Sequence, residues 1–470
     1  MTILDLKLDR ASETSLSEQI RMGISGAIEN GILLPGARLP SWVDLAAQLG
    51  VARGTVKTAY ERLIDAQLVV SSRAGGTRVS DHTTVVRPAA EHTRCIETDL
   101  RSALYRHFLP GPAVFQMGVP ASDCFPGTLF ARIRARAARD EVEAPAAYPD
   151  PRGEHELRRE IAAHLALSRG IECRPSQIFI SAGFTGALGV TLRVIQAEGR
   201  KAWVENPGFL PSRRALEISR LATVPVPVDE EGLDVRYGEV HAPDAAMALV
   251  TPGQQAPLGP TLSLARRVKL LEWARRADAW IIEDDYLGEL QLRRRAAPAL
   301  ASLDRAGRVI HIGSFSKTIS PTLRLGFVVA PATLVSRFDE AVACLGGAPG
   351  PAVQMATAEF MRDGHYMRHL RRMKRIYAGR TNALLATLEA KGFEVYPAGL
   401  AVVLRLADGA DDKTIAREAY AYGLAPAPLS RWYCAESTQR SGLLLGVATA
   451  IESQLPNTCD RLHHLIQKFS

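Results

Sequence analysis

Residues 309–330 read Val309-Ile-His-Ile-Gly-Ser-Phe-Ser-Lys-Thr-Ile-Ser-Pro-Thr-Leu-Arg-Leu-Gly-Phe-Val-Val-Ala330, an apolar run, a polar turn carrying Lys317, and a second apolar run. The pattern is that of strand, loop, strand. In an open α/β sheet ligands sit outside the carboxyl ends of the strands, so a lysine just past Val309–Ile312 points into the site. Lys317 is the candidate nucleophile. A lysine alone is ordinarily a solvated surface charge. Here Ser314 and Ser316 bracket it with hydroxyls, and Arg324 follows within reach of a folded loop. That set suits a phosphorylated aldehyde: the amine forms a Schiff base and the guanidinium grips the phosphate with two prongs.

The strands on either side end in matching chemistry. Trp280–Ile282 runs into Glu283-Asp-Asp-Tyr286, where a carboxylate can pair with a protonated pyridine nitrogen and a tyrosine hydroxyl can donate to a phenolate. Gln177–Ile180 ends in Ser181-Ala-Gly-Phe-Thr-Gly-Ala-Leu188, a small-residue turn whose helix-opening amides suit a phosphate. Ala202–Glu205 leads to Asn206-Pro-Gly-Phe209. Further strands are expected at Ala246–Val250, Arg308–Ile312 and Gly326–Val329, with helices over Leu157–Leu167, from Thr185, and over Ser263–Arg276. Apolar strands alternating with helices predict a large α/β domain with a mainly parallel sheet. From about Glu359 a long basic helix leads to a small C-terminal α+β subdomain with strands near Ala401–Leu406 and Leu443–Val447.

Ser314-Phe-Ser-Lys317 followed by Leu323-Arg-Leu-Gly326 resembles the cofactor-lysine motif of the fold-type I aminotransferases. The resemblance implies pyridoxal 5'-phosphate on Lys317, with Ser314, Ser316 and Arg324 at the phosphate, Asp284 at the pyridine nitrogen and Tyr286 at the phenolate. Phe184 and Thr185 stand where the family carries Thr or Ser and then Gln, and Phe209 stands where an aromatic stacks on the ring. Tyr148, in Tyr148-Pro-Asp-Pro-Arg-Gly153, matches a tyrosine that reaches a neighbouring subunit's phosphate, which implies a homodimer. Thr251-Pro-Gly-Gln-Gln-Ala-Pro-Leu-Gly259 matches the loop beside the ring, with Gln254 in place of the usual His. The substrate side departs. Where many members place a carboxylate-gripping arginine this chain has Leu444-Leu-Gly-Val447, with Arg431 and Arg440 as nearby substitutes, and a second arginine position is Pro211.

The N-terminal stretch is different in kind. Leu16, Ile20, Ile24, Ala27 and Ile28 recur at helical spacing, Ser41 can cap a second helix reaching Leu49, and Gly50 breaks it before a third helix through Ile64. Leu68–Val79 then reads as two short strands about a glycine turn. This is a winged helix-turn-helix. The polar face of the third helix offers Arg53, Gly54, Thr55, Lys57 and Thr58 to a major groove, with Arg38, Ser41, Arg73 and Arg78 as further DNA contacts. The run Gly31-x-Leu33-x-Pro35-Gly36-x-x-Leu39-Pro40-Ser41 with Leu49-Gly50-Val51-x-Arg53 resembles the GntR winged helix. It departs at Val43, beside Trp42, where such proteins carry a phosphate-contacting arginine.

The domain plan is a winged helix over 14–80, a linker over 81–112 with one helix near Leu100–Leu109, and the aminotransferase-like effector and dimerisation domain over 113–470. The net charge of +7 is weak evidence for a polyanionic partner, because residues 1–80 hold nine Lys/Arg against eight Asp/Glu. The six cysteines are scattered without a Cys-x-x-Cys pair, so no metal site is expected. There is no signal-peptide core and no apolar run near the roughly 20 residues of a membrane span, so a cytoplasmic protein is expected. The order of domains resembles the MocR subfamily of regulators. That implies operator DNA as partner and an amino-acid, amine or vitamin B6 effector, sensed as an external aldimine or as the coenzyme itself. An active PLP-dependent aminotransferase with an accessory DNA-binding domain is the alternative.

Overall fold

The computed structural model describes residues 6, 8–72, 76–81, 113–292, 297–435 and 439–469. Arg73, nearly all of the expected linker and its helix near Leu100–Leu109 lie outside the described residues. The chain divides into two compact units, Met1–Leu109 and Pro110–Ser470.

In the first unit, α1 (Leu16–Glu29) starts where Ser15 Oγ accepts from the Glu18 amide at 3.4 Å. Helix α2 (Trp42–Leu49) is capped by Ser41, whose Oγ accepts from the Asp44 amide at 3.1 Å and donates to the Asp44 carboxylate at 2.6 Å. Gly50 then turns the chain through φ 62°, a left-handed conformation costing other residues about 1 kcal/mol, into α3 (Arg53–Asp65). Strands β1 (Val69–Ser72) and β2 (Gly76–Val79) pair antiparallel as the wing. Ile20, Ile24, Ile28, Leu45, Val56, Leu63, Val69 and Val79 fill one core. The Tyr60 hydroxyl donates to Pro40 O at 2.9 Å, fixing α3 to the segment before α2.

The second unit begins with α4 (Gly127–Glu143) and α5 (His155–Arg169). It continues through β3 (Ile178–Ser181), α6 (Gly183–Ile195), β4 (Lys201–Asn206), α7 (Leu210–Ile218), β5 (Ala222–Asp229), β6 (Gly232–Leu233) and α8 (Val235–His241). Then come β7 (Met247–Val250), α9 (Leu264–Arg276), β8 (Trp280–Asp285), α10 (Leu300–Leu303), β9 (Val309–Ser314) and β10 (Gly326–Val329). The sheet order is β3-β10-β9-β8-β7-β4-β5-β6. Strands β4, β5, β7, β8 and β9 are parallel, β10 is antiparallel to both its neighbours, and β6 is an antiparallel edge. Side chains alternate between two cores: Val204, Leu249, Ile282 and Ile310 enter one, Trp203, Ala248, Ile281 and Val309 the other. This two-sided burial is why the strands read as unbroken apolar runs.

Helices α11 (Val335–Leu345), α12 (Pro351–Arg362) and α13 (His365–Glu389) lead to the small sheet. The single basic helix expected from Glu359 is thus two, broken at Gly364 with φ 72°. The small sheet contains β11 (Val395–Ala398), β12 (Ala401–Arg405), β13 (Ala427–Pro428) and β14 (Gly442–Gly446) in the order β11-β12-β14-β13, with α14 (Asp412–Glu418) and α15 (Leu455–Phe469). Strand β5, which carries Pro225 and Pro227, was not among the expected strands. On one side Pro225 and Pro227 stand opposite Val204 and Asn206 of β4, while on the other β6 pairs only with Val228 and Asp229, so no strand partner faces the prolines there. No described helix is long and apolar enough to cross a membrane.

Leu63 is fully buried in the winged-helix core. Leu63→Ala is expected to cost about 2–5 kcal/mol, read as lost hydrogen-exchange protection across α1–α3 with protection of the large sheet unchanged.

Candidate functional site

The lysine turn is built by its own hydroxyls. Ser314 Oγ accepts from the Ser316 amide at 3.1 Å and donates to Ser316 Oγ at 2.9 Å, while Phe315 is buried beneath. Half-buried Lys317 is thereby set over the carboxyl ends of the strands, and its Nζ donates to Gly118 O at 2.7 Å. Gly118 has φ 81°, a conformation that favours glycine, and a Cβ there would lie 2.9 Å from the Lys317 nitrogen, so a side chain would push the end of the lysine aside. Burial lowers the Lys317 pKa to about 8, with Asp284 pulling the other way.

Strand β8 brings three carboxylates to the same level. Glu283 accepts from the Leu300 and Ala301 amides at 2.7 and 2.9 Å and faces His311 Nδ1 at 3.1 Å. Asp285 pairs with the buried Arg169 guanidinium through contacts of 2.7 and 3.2 Å. Asp284 is buried between them in sequence, yet among the described residues nothing donates a hydrogen bond to its carboxylate. Burial and the charges of Asp285 and Glu205 push its pKa well above the carboxylate range, against the pull of Lys317. The half-buried Tyr286 hydroxyl is likewise pushed up, by burial and then by Asp284 and Glu205.

Glu205 is a site residue that the sequence reading passed over as a strand end. It is buried, accepts from Thr251 N at 3.0 Å, Thr251 Oγ1 at 2.6 Å and Gln255 Nε2 at 3.4 Å, and burial raises its pKa to about 7. The available signal was a carboxylate in the otherwise apolar run Ala202-Trp-Val-Glu205. Gly118 was also missed, because its segment carries no motif.

At the other end Arg324, with φ 49°, donates through Nη2 to Ala182 O and to Thr185 Oγ1, both at 2.9 Å. Gly326 pairs with both Ser181 and Ser314, so the start of α6, the Ser314 hydroxyl and the exposed Arg324 guanidinium meet at one point. Phe184 is half-buried with its ring centroid 6.5 Å from that of Phe209. The Phe209 turn is stitched to the small subdomain: Gly208 N donates to Trp432 O and Cys434 N to Asn206 Oδ1, each at 2.9 Å.

Three expected residues stand apart. Tyr148 is fully exposed and joins none of these contacts within one chain. Arg431 and Arg440 are exposed, and Leu444 is fully buried. In the winged helix, Arg53, Gly54, Lys57 and Thr58 are exposed on α3, Thr55 is half-buried, and Lys57 lies 3.7 Å from Glu61. Ser41 is occupied as a helix cap, Arg38 is exposed beside Gly76, and Arg78 donates to Gly36 O at 2.9 Å.

Residues 123–450 match the family of aminotransferases class I and II, and residues 16–79 match the bacterial regulatory proteins of the gntR family. The chain is 32% identical over 456 residues to the probable rhizopine catabolism regulatory protein MocR of Rhizobium meliloti, covering 94% of this chain and 92% of that protein. It belongs to the MocR-type GntR regulators. Another relative is the pyridoxine biosynthesis transcriptional regulator PdxR of Corynebacterium glutamicum, 32% identical over 82% of this chain and 81% of that one. The second unit shares its fold with the α-aminoadipate aminotransferase LysN of Thermus thermophilus, solved with N-(5'-phosphopyridoxyl)-L-leucine (TM-score 0.69, 26% identity, 77% of this chain and 94% of that one). Like other MocR-type regulators, the chain is a transcriptional regulator with a GntR helix-turn-helix and an aminotransferase-like domain. The GntR family implies operator DNA, and the aminotransferase fold implies pyridoxal phosphate. The residues present fit that group: a buried carboxylate lacking a donor for a pyridine N–H, an amine of lowered pKa for an aldehyde, and a guanidinium at a helix start for a phosphate.

Two neighbouring carboxylates should behave oppositely. In coenzyme-free protein Asp285→Ala strands the Arg169 charge and is expected to cost about 3–5 kcal/mol in urea unfolding, whereas Asp284→Asn leaves stability unchanged or raised. Similar losses in both would contradict this assignment. For Glu205 the folded pKa is raised, so its contribution to stability is complete below the ordinary glutamate range and is lost as pH rises through about 7. Relative to Glu205→Gln, the wild type should therefore lose about 3 kcal/mol between pH 4 and 8, measured by denaturation across that range.

Proposed function

We propose that this chain regulates transcription through a winged helix over residues 14–80 that binds operator DNA and a domain over 113–470 that dimerises and holds pyridoxal 5'-phosphate on Lys317, sensing an amine, an amino acid or the coenzyme itself. The observation that carries the reading is the single constellation of Lys317, Asp284 and Arg324 at one end of a sheet, in a chain that begins with a GntR domain. When bound, the coenzyme supplies an aldehyde that exchanges one amine partner for another.

The protein's own groups have definite tasks in this reading. Lys317 is the resident amine, and its lowered pKa leaves a usable unprotonated fraction near neutral pH. Asp284 takes the pyridine N–H and regains the charge that burial denies it. Tyr286 donates to the ring oxygen and Phe209 covers the ring. Ser314, Ser316, Thr185, Arg324 and the first amides of α6, beside Phe184, receive the phosphate, with Tyr148 reaching the partner subunit's site. Arg53, Gly54, Thr55, Lys57 and Thr58 face the DNA groove. A signal leaves the site through Thr318, next to Lys317: its carbonyl faces His369 Nε2 at 2.7 Å, and its hydroxyl lies 3.1 Å from the Tyr366 hydroxyl, both on α13. Regulation then requires only a few kcal/mol of differential affinity between two states.

The first test is optical. Purified protein should show a visible absorbance band that Lys317→Ala removes and borohydride fixes, and addition of effector amines should shift the band and change operator affinity together. A colourless protein that takes up no added coenzyme would sink the reading. Steady release of a keto acid from an amino donor would favour a working aminotransferase instead.

A further inference from the structure

Helix α13 opens with two faces of opposite character. Tyr366, Leu370, Met373 and Tyr377 are buried, while Arg368, Arg371, Arg372 and Arg375 are exposed at spacings of three and four residues, so the four guanidiniums form one stripe. Nothing acidic interrupts it. His365–Leu388 contains no Asp or Glu, and Asp363, just ahead of the helix, pairs with Arg362 at 3.5 Å. Among the described residues Arg371, Arg372 and Arg375 meet no carboxylate, and Arg368 reaches only Asp363 O at 3.2 Å and His365 Nδ1 at 2.6 Å.

Helix stability works against such a stripe. Like charges three and four residues apart repel, and the stripe begins in the first turn, where the helix dipole favours anions. A solvated helix face ordinarily mixes signs. Elsewhere in this unit helices do so: Arg159 pairs with Glu156 at 2.8 Å and Arg214 with Glu217 at 2.6 Å, each within one turn. The use of arginine is equally pointed, because its planar fork matches two phosphate oxygens where lysine offers a point charge. From Arg368 to Arg375 the helix rises about 10 Å, a length over which one DNA strand presents about three phosphates.

We infer that this face of α13 is a second DNA contact of the chain, gripping the phosphate backbone of the duplex whose operator sequence the winged helix reads. This rests on the reading of residues 14–80 as the operator-binding domain. Phosphate contacts carry no sequence information, so the stripe adds affinity and leaves base preference to α3.

The test uses the full-length protein, a duplex carrying the sequence it selects from a random pool with flanks of several helical turns, and a scrambled duplex of the same length. Affinities are measured from low to high salt. Combining Arg371→Gln, Arg372→Gln and Arg375→Gln is expected to flatten the slope of log affinity against log salt by about 2, at about 0.9 per phosphate, and to weaken both duplexes equally. Its urea unfolding should be no easier than that of the wild type, since repulsion has been removed. Arg372→Glu alone should flatten the slope by about 1, and it decides the matter should the triple variant fold poorly. Lysine at the same three positions keeps the charge and should retain the wild-type slope. Arg220→Gln, Lys269→Gln and Arg275→Gln, exposed on other elements of the same unit, remove as much charge together and should leave the slope unchanged. A folded glutamine variant with the wild-type slope, or a control that flattens it equally, overturns the inference and returns the face to solvent or to an acidic protein. If the wild type selects no sequence, the operator reading itself has failed and the inference with it.

Discussion

Three consecutive carboxylates leave β8 at the depth where the sheet is driest, and the site depends on how unequally they are neutralised. Burying a charge without a partner is among the most expensive acts in folding. Arg169 answers Asp285 with two prongs, and two backbone amides with His311 answer Glu283. Asp284 accepts no hydrogen bond among the described residues and feels the pull of Lys317 against the repulsion of its neighbours. An acid held in that condition stores a preference for a cationic donor, and an amine whose pKa burial lowers to about 8 gives up its proton more readily than an ordinary lysine.

Much of this was legible in the sequence, for a physical reason. Strands β9 and β10 are buried on both faces, so their apolar runs had to be continuous, and the polar turn between them could only lie at a sheet end. The same logic located Asp284 and the glycine-rich start of α6. The winged helix was legible through 3.6-residue periodicity and the Ser41 cap. What escaped notice depends on contacts between distant segments. Glu205 has meaning only once Thr251 and Gln255 are folded against it. Gly118 sits 199 residues from the lysine it receives. Strand β5 carries two prolines, and their tolerance shows only once β6, two residues long, is seen beside it. The break at Gly364 was obscured by basic residues that continue past it.

The loop bearing Lys317 is also the place where the site touches the rest of the molecule. Tyr366 joins Thr318 to Glu289, which in turn meets His164 on α5. His369, one helical turn further along α13, holds the carbonyl of the same residue. The loop is thus tethered to two successive turns of a 25-residue helix, and a change in its conformation alters contacts made by that helix. Chemistry at one nitrogen is thereby given mechanical reach.

The site and the segment packed against its Phe209 turn hang from different sheets. The floor with Lys317, Asp284 and Arg324 belongs to the eight-stranded sheet, whereas Leu444 belongs to the four-stranded one, and Trp432 and Tyr433 come from the segment that leads to it. Substitutions in the second can accumulate without disturbing the first, since each sheet has its own hydrogen-bond ladder. Such a scaffold lets the small sheet and its approach vary over generations while the cluster of Lys317, Asp284 and Arg324 is inherited intact, so one half of the domain can be remodelled without first dismantling the other.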